Sequence, residues 1–283
     1  MKVLVLGGDG MLGHQLVRTL SPSFTVRSTI RDHRPVLAAA DLLTAGNTYT
    51  GIDVRSLDAL TAVMDDFRPE VAVNAVGIVK QRPTAEAAVP SIEINALFPH
   101  RLQQVAAERG VRVIHLSTDC VFSGRKGNYV ETDFPDAEDL YGRSKLLGEL
   151  VAGNALTLRT SMIGRELKRK MSLLEWLLAQ KGTVSGYRKA VFSGLTTPEL
   201  ARVIHRIIAQ FPDATGLYHL AARPIDKYDL LCRIKAQLGL TVNIAPDDRV
   251  AIDRSLDGTR FRKDFGYEAP SWDDMIAALT PDG

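Results

Sequence analysis

An α/β fold is predicted for this 283-residue chain, with a doubly wound parallel sheet and a smaller, discontinuous C-terminal unit. Three observations predict it. Short apolar, β-branched runs alternate with longer helical patterns up to about residue 160. Those runs are apolar nearly throughout, as strands covered by helices on both faces are. The first of them runs straight into a cluster of glycines, from which a helix starts at once.

Taken in order, strands are expected at residues 2–6, 24–30, 71–74, 111–116 and 155–158, with a further strand in TGIDV. Helical patterns fall between them at 11–20, 57–67, 92–109 and 140–151. Ser56 and Ser91 have the hydroxyl that an N-cap needs, and Gly110 is a natural helix stop. Beyond residue 160 the rhythm loosens. RELKRKMSLLEWLLAQKG reads as a helix with a basic lead-in, and Thr197-Pro198 as the cap and first turn of a helix running to Gln210. A strand at 217–221 and a helix at 226–238 follow. Residues 1–160 plus 196–222 are therefore expected to build the sheet domain, and 161–195 plus 223–283 the smaller unit.

Bulk properties narrow the function. Of the residues 45% are hydrophobic, enough for a substantial core, and 35 basic against 33 acidic side chains leave a formal charge of +2. That balance favours neither a nucleic-acid polymer nor a membrane surface as partner. Two cysteines, Cys120 and Cys232, are too few for a disulfide framework and suit a reducing compartment. MKVLVLGGDG suits a strand better than a signal peptide, and no apolar run approaches the roughly 20 residues of a membrane helix. A cytoplasmic protein is the expectation. No His/Cys/carboxylate group has metal-ligand spacing.

Gly7, Gly10 and Gly13 are spaced G-x-x-G-x-x-G, with Gly8 extra. A turn this tight needs unusual backbone angles, and glycine at a helix N-terminus lets a pyrophosphate approach the amide donors. Placed between a predicted strand and a predicted helix, the pattern points to a Rossmann dinucleotide site; an ordinary turn is the bland alternative. The second strand reads FTVRSTIRD: Arg27 and Arg31 precede Asp32, and an arginine there can pair with a 2′-phosphate. This favours NADPH, with NADH use left open if Arg31 is only a solvated charge. Asp53 and Val54 would flank the adenine, and Asn74-Ala75-Val76-Gly77 leave room for the ribose and nicotinamide.

Tyr141 and Lys145 stand at i and i+4 on one helix face. A free phenol, with a pKa near 10, is a poor proton donor at neutrality. A nearby ammonium is expected to lower that value into a working range. Ser117, Thr118 and Asp119 end the preceding strand, where open parallel sheets bind ligands. The Thr118 hydroxyl there either orients a substrate carbonyl or bonds its own backbone.

GGDGMLG, VNAVG, IEINALFPHRL, HLSTDCVFSG, YGRSK and LRTSMIG together resemble the extended short-chain dehydrogenase/reductases, and within them the dTDP-4-dehydrorhamnose reductase branch. The resemblance spans essentially the whole chain. It implies Gly10, Met11 and Leu12 under the cofactor diphosphate, and Asp53, Val54, Ala75, Val76 and Gly77 along the adenosine and ribose. It implies Thr118, Tyr141 and Lys145 as catalytic, Lys145 also holding the nicotinamide ribose, and Asn95 as a supporting residue. The pattern departs at Cys120, where relatives usually have tyrosine, and at Met162, where they usually have a tryptophan near the sugar. The implied activity is NADPH-dependent reduction of a nucleotide-activated 4-keto-6-deoxy sugar. Arg165, Lys168, Arg169, Lys170 and Arg260 are candidate phosphate contacts. A homodimer is among the assemblies the sequence allows. Two alternatives stay open: a nucleotide-sugar epimerase, and a non-catalytic NADP-binding subunit such as those that partner methionine adenosyltransferase.

Overall fold

The computed structural model describes residues 1–34, 39, 41–79, 87–168 and 170–279. Their centre is a seven-stranded, all-parallel sheet. Its strands are β1 (Lys2–Leu6), β2 (Thr25–Thr29), β3 (Thr48–Tyr49), β4 (Val71–Asn74), β5 (Arg112–Thr118), β6 (Ala155–Thr160) and, later in the chain, β10 (Gly216–His219), in the order β10-β6-β5-β4-β1-β2-β3. Alternation along β1 explains the double winding. Val3 and Val5 join one core with Leu16, Val17 and Leu20 of helix α1 (Gly13–Leu20) and Ile204 of helix α7 (Thr197–Gln210). Leu4 and Leu6 join the other, with Leu60, Met64 and Phe67 of α2 (Leu57–Phe67) and Leu102 and Val105 of α4 (Phe98–Ala107). Both faces of the strand are thus buried, which is why it carries no polar alternation.

A short α3 (Ala88–Ser91) precedes α4, and α5 (Leu140–Leu147) crosses between β5 and β6. The remaining elements are β7 (Met162–Ile163) paired with β9 (Leu195–Thr196), helices α6 (Leu173–Leu178), α8 (Lys227–Leu238), α9 (Thr259–Phe265) and α10 (Trp272–Ala277), and a three-stranded sheet. In that sheet β8 (Thr183–Phe192) lies between β11 (Ile225–Asp226) and β12 (Asn243–Asp253).

Five local expectations are corrected. TGIDV is not a strand: β3 ends at Tyr49, Gly51 turns the chain at φ +71°, and Asp53 and Val54 fall in a loop. Ser91 is not a cap, because the helix starts upstream at Ala88 and Pro90 sits in its tolerant first turn. The helix expected over 92–109 opens into a π turn at Ile92–Leu97 before α4. Thr196, extended at ψ 151°, caps α7 instead of Thr197. The basic lead-in to α6 is a loop, because the Glu166 carboxylate accepts from Met171 N at 2.6 Å and Ser172 N at 2.9 Å. Ser56 does cap α2, accepting from Ala59 N, and Gly110 ends the helix region at φ +66°.

Candidate active site

The strand order reverses between β1 and β4, and the glycine turn leaves β1 at that switch point, where doubly wound sheets bind ligands. Gly7 sits at φ +83°. A Cβ on Gly13 would lie 1.9 Å from the Gly7 carbonyl oxygen, so only glycine lets α1 pack this close to the turn. No side chain caps α1; His14 N is taken by Gly10 O at 3.2 Å, which leaves the earlier amide donors of the first turn for an anion.

Two adjoining cavities run across the carboxyl ends of the strands. The first, about 170 Å³, is lined by Gly7, Gly10, Met11, Arg31, Asp53, Val54, Ala75, Val76 and Gly77. The second, about 410 Å³, shares Gly10, Met11, Ala75, Val76 and Gly77 and adds Leu12, Ser117, Thr118, Asp119, Tyr141, Lys145 and Met162. The glycine-turn, strand-end and Tyr-x-x-x-Lys residues singled out from the sequence, with Arg31, Asp53, Asp119 and Met162, thus line one continuous groove.

The charged residues sort differently from expectation. Arg27 turns away from the groove, pairing with Asp66 at 2.9 Å and stacking on Phe67. Asp53 is gripped by Arg55, whose Nη2 approaches Oδ2 to 2.5 Å and holds the carboxyl below its usual range. Lys168 lies over the first cavity, bonded to Asp9 of the glycine turn and to Asp32 at 2.6 Å. Arg165 pairs with the buried Glu175 at 2.9 Å. Arg260 stacks on Tyr218 and donates to Leu217 O; like the exposed Lys170, it lines neither cavity. Arg169 lies outside the described residues.

At the other end, Asp139 caps α5, accepting from Gly142 N at 2.8 Å. A Cβ on Gly142 would lie 2.2 Å from Cys120 O, and one on Gly148 1.9 Å from Asn95 O. Glycines therefore seat α5 against both the end of β5 and the π turn. That wide turn aims Asn95 at Ile78: its Oδ1 accepts from Ile78 N at 2.9 Å and its Nδ2 donates to Ile78 O at 3.0 Å and to Ser144 Oγ at 3.2 Å. Asn95 so ties the small-residue exit of β4 to the Tyr141 helix.

Thr118 bonds its own backbone, the second of the two readings considered for it. Its Oγ1 accepts from Cys120 N at 3.1 Å and its hydroxyl donates to Asp119 Oδ1 at 3.1 Å, beside the Tyr141 phenol. The acid–base expectation is corrected. Burial pushes the Tyr141 phenol well above its usual range, the nearby Cys120 thiol and Asp119 adding to the rise and only Thr118 opposing it. Lys145 does not lower it, because its ammonium donates instead to Leu116 O at 2.6 Å. Burial brings Lys145 down to about 8, against the pull of Glu149. Cys120 is pushed up to about 12 by burial and Asp119, so it packs as a neutral thiol.

Sequence reasoning missed the support beneath. Glu149 accepts from Ser117 Oγ at 2.6 Å and from Arg159 Nε and Nη2, both at 2.8 Å. Arg159 reaches His219 Nε2 at 3.2 Å, and His219 Nδ1 donates to Tyr129 O at 2.9 Å. Glu149 stands one turn past Lys145, inside the helical pattern at 140–151; its partners come from β5 and β6, with His219 of β10 behind them, and had no local signal. Lys227 and Arg254, which also line the larger cavity, were missed for the same reason.

A protein-family model described as RmlD substrate binding domain matches residues 1–281. The dTDP-4-dehydrorhamnose reductase of Burkholderia thailandensis is 30% identical over 237 residues, covering 78% of this chain and 73% of its own length. That of Aggregatibacter actinomycetemcomitans is 25% identical over 296 residues, 96% of this chain and 95% of its own. The solved dTDP-4-dehydrorhamnose reductase from Bacillus anthracis, in complex with NADP, superposes with a TM-score of 0.80 over 98% of each chain; at 18% identity that likeness is one of fold. A match along nearly the whole length, over a chain whose glycine turn, strand-end hydroxyl and Tyr-x-x-x-Lys helix meet in one groove, places this protein in the RmlD substrate binding domain family.

Proposed function

We propose that this chain is an NADPH-dependent reductase of a nucleotide-activated 4-keto-6-deoxy sugar, of the dTDP-4-dehydrorhamnose kind. One observation carries the reading: Thr118, Tyr141 and Lys145 line the same groove as the glycine turn. A dinucleotide fits the groove by its donors and its floor. The uncapped first turn of α1 suits a diphosphate, Arg31 lies at the β2 end, and the floor is built of small residues.

Bound NADPH supplies the hydride. Tyr141, kept protonated by burial, is built to give its proton to the carbonyl oxygen as negative charge develops there. Thr118, its position fixed by Cys120 N, turns its one hydroxyl proton from Asp119 Oδ1, where it rests at 3.1 Å, to the same oxygen. Lys145, immobilised on Leu116 O, has two further protons for ribose hydroxyls and for restoring the phenol. We read residues 161–195 and 223–283 as the unit that covers the sugar, supported by Met162, Lys227 and Arg254 in the cavity wall. The reading carries with it a cytoplasmic enzyme, in keeping with the free thiols Cys120 and Cys232, and a homodimer is its assembly to test. Among the described residues no helix is long and apolar enough to cross a membrane.

The test is a panel of nucleotide-linked 4-keto-6-deoxy sugars with NADPH, followed by absorbance and product NMR. Stoichiometric oxidation of NADPH supports reduction. A cofactor that copurifies and never exchanges while the sugar inverts would assign an epimerase, and binding without any turnover a regulatory subunit.

A further inference from the structure

The larger cavity has a second polar wall, facing it from the three-stranded sheet. Asp226 of β11 and Asp253 of β12 are both paired with Val191 of β8, so Lys227 and Arg254, each one residue further along, flank that strand from either side. Both line the cavity together with Asp119, the neighbour of Thr118.

Lys227 is poorly placed for stability. It is the first residue of α8, where the helix dipole disfavours a cation. Its ammonium lies 3.8 Å over the Phe192 ring, and among the described residues it makes no hydrogen bond or ion pair. Burial holds it below the usual lysine range, with Asp119 and Cys120 opposing from a distance. Arg254 is anchored by Nε on Phe122 O at 2.9 Å, and its Nη groups have no hydrogen bond among the described residues. Asp119 accepts from the Thr118 hydroxyl at 3.1 Å, and burial raises its carboxyl. Two half-buried donors and one buried acceptor, unpaired with one another, line the space next to the reacting hydroxyls.

We propose that Asp119, Lys227 and Arg254 form the sugar-reading wall of the cavity, with Lys227 the specificity-determining residue that donates to a ring hydroxyl beside the carbonyl. The inference rests on the nucleotide-sugar reading above and deepens it. The mixed charge decides the ligand group. A diphosphate would bring its negative charge against Asp119, whereas vicinal hydroxyls both donate and accept and so match a carboxyl beside an ammonium and a guanidinium. Phe192, itself packed on Trp272, fixes the ammonium from one side at the cavity wall.

Titration calorimetry with NADP⁺ present tests this, comparing dTDP with dTDP-rhamnose on the wild type, Lys227→Met and Lys227→Gln. Lys227→Met should weaken dTDP-rhamnose roughly ten- to hundredfold while leaving dTDP and NADP⁺ within about twofold. Lys227→Gln, which keeps a donor, should recover part of the loss. An equal loss for dTDP would assign Lys227 to the diphosphate and overturn the inference, as would no loss at all. If both variants lose NADP⁺ binding as well, Lys227 is a structural residue and the inference falls. A wild type that binds neither dTDP nor dTDP-rhamnose removes the nucleotide-sugar reading itself, and this inference with it.

Discussion

Lys145 donates to the main-chain carbonyl of Leu116 at 2.6 Å, one helical turn from Tyr141 yet bonded away from it. Its ammonium is therefore a fixed donor whose charge is the vulnerable property, since burial brings its pKa from 10.5 to about 8. The free-enzyme profile of kcat/KM should be level through neutrality and fall above about 8 as Lys145 loses its proton. Unfolding does not explain such a limb. Between about 8 and 10.5 the unfolded chain holds more protons at this group than the folded one, so its contribution to stability rises with pH. Lys145→Arg, which stays charged, should remove the limb; a limb unchanged in that variant would reassign it to another group.

Tyr141 should be separable from cofactor binding. Its phenol is raised by burial, so in the reducing direction it holds its proton throughout the working range. Tyr141→Phe should lower kcat by roughly 10²–10⁴ while the Kd for NADPH moves little. Stopped-flow turnover and fluorescence titration of NADPH measure the two. Survival of most of the turnover would show that another group, or water, protonates the oxygen.

The parts of the site legible in the sequence were those carried by local pattern. Gly7 and Gly13 announce a tight strand-to-helix turn because steric exclusion of Cβ acts within seven residues, and the turn is as read. Tyr141 and Lys145 share a face because helical periodicity is local. What they do with their protons was not legible. The bond to Leu116 and the burial of both groups depend on how α5 seats on β5, which Gly142 and Gly148 set through contacts with Cys120 and Asn95. The π turn is another such case. A sequence pattern over 92–109 is helical either way, and the widening shows only in the way Asn95 reaches Ile78. Lys168 is a candidate phosphate contact by its charge in the sequence; in the loop closed by the Glu166 bonds it reaches Asp9 and Asp32 instead.

That placement of Lys168 bears on cofactor choice. A carboxylate at the end of β2 favours the ribose hydroxyls of NADH, but Asp32 is engaged by Lys168 at 2.6 Å, which leaves Arg31 to face a 2′-phosphate. Arg31→Ala should raise the KM for NADPH roughly ten- to hundredfold and leave NADH nearly unchanged. Lys168→Met should shift the preference the same way, more weakly, by releasing Asp32. The ratio of kcat/KM for the two cofactors is the measurement. An Arg31→Ala enzyme that keeps the wild-type ratio would place the 2′-phosphate elsewhere.

His219 should contribute to the acid limit of the fold, alongside His115, whose pKa burial also lowers. It is fully buried, its Nδ1 committed to Tyr129 O at 2.9 Å, which leaves Nε2 as the bare acceptor for Arg159 at 3.2 Å. A second proton would face the Arg159 guanidinium directly. Burial, and then Arg159, lower its pKa from 6.5 to about 4. Between those values the unfolded chain takes up the proton first, so stability falls as pH drops from about 6.5 towards 4. The loss from this one group is on the order of 3 kcal/mol at the lower end. His219→Asn keeps the donor to Tyr129 O but cannot titrate. Urea midpoints measured across that range should therefore slope steeply in the wild type and less in the variant, even though the variant is the less stable of the two at neutral pH. Parallel slopes would mean that other groups set the acid limit.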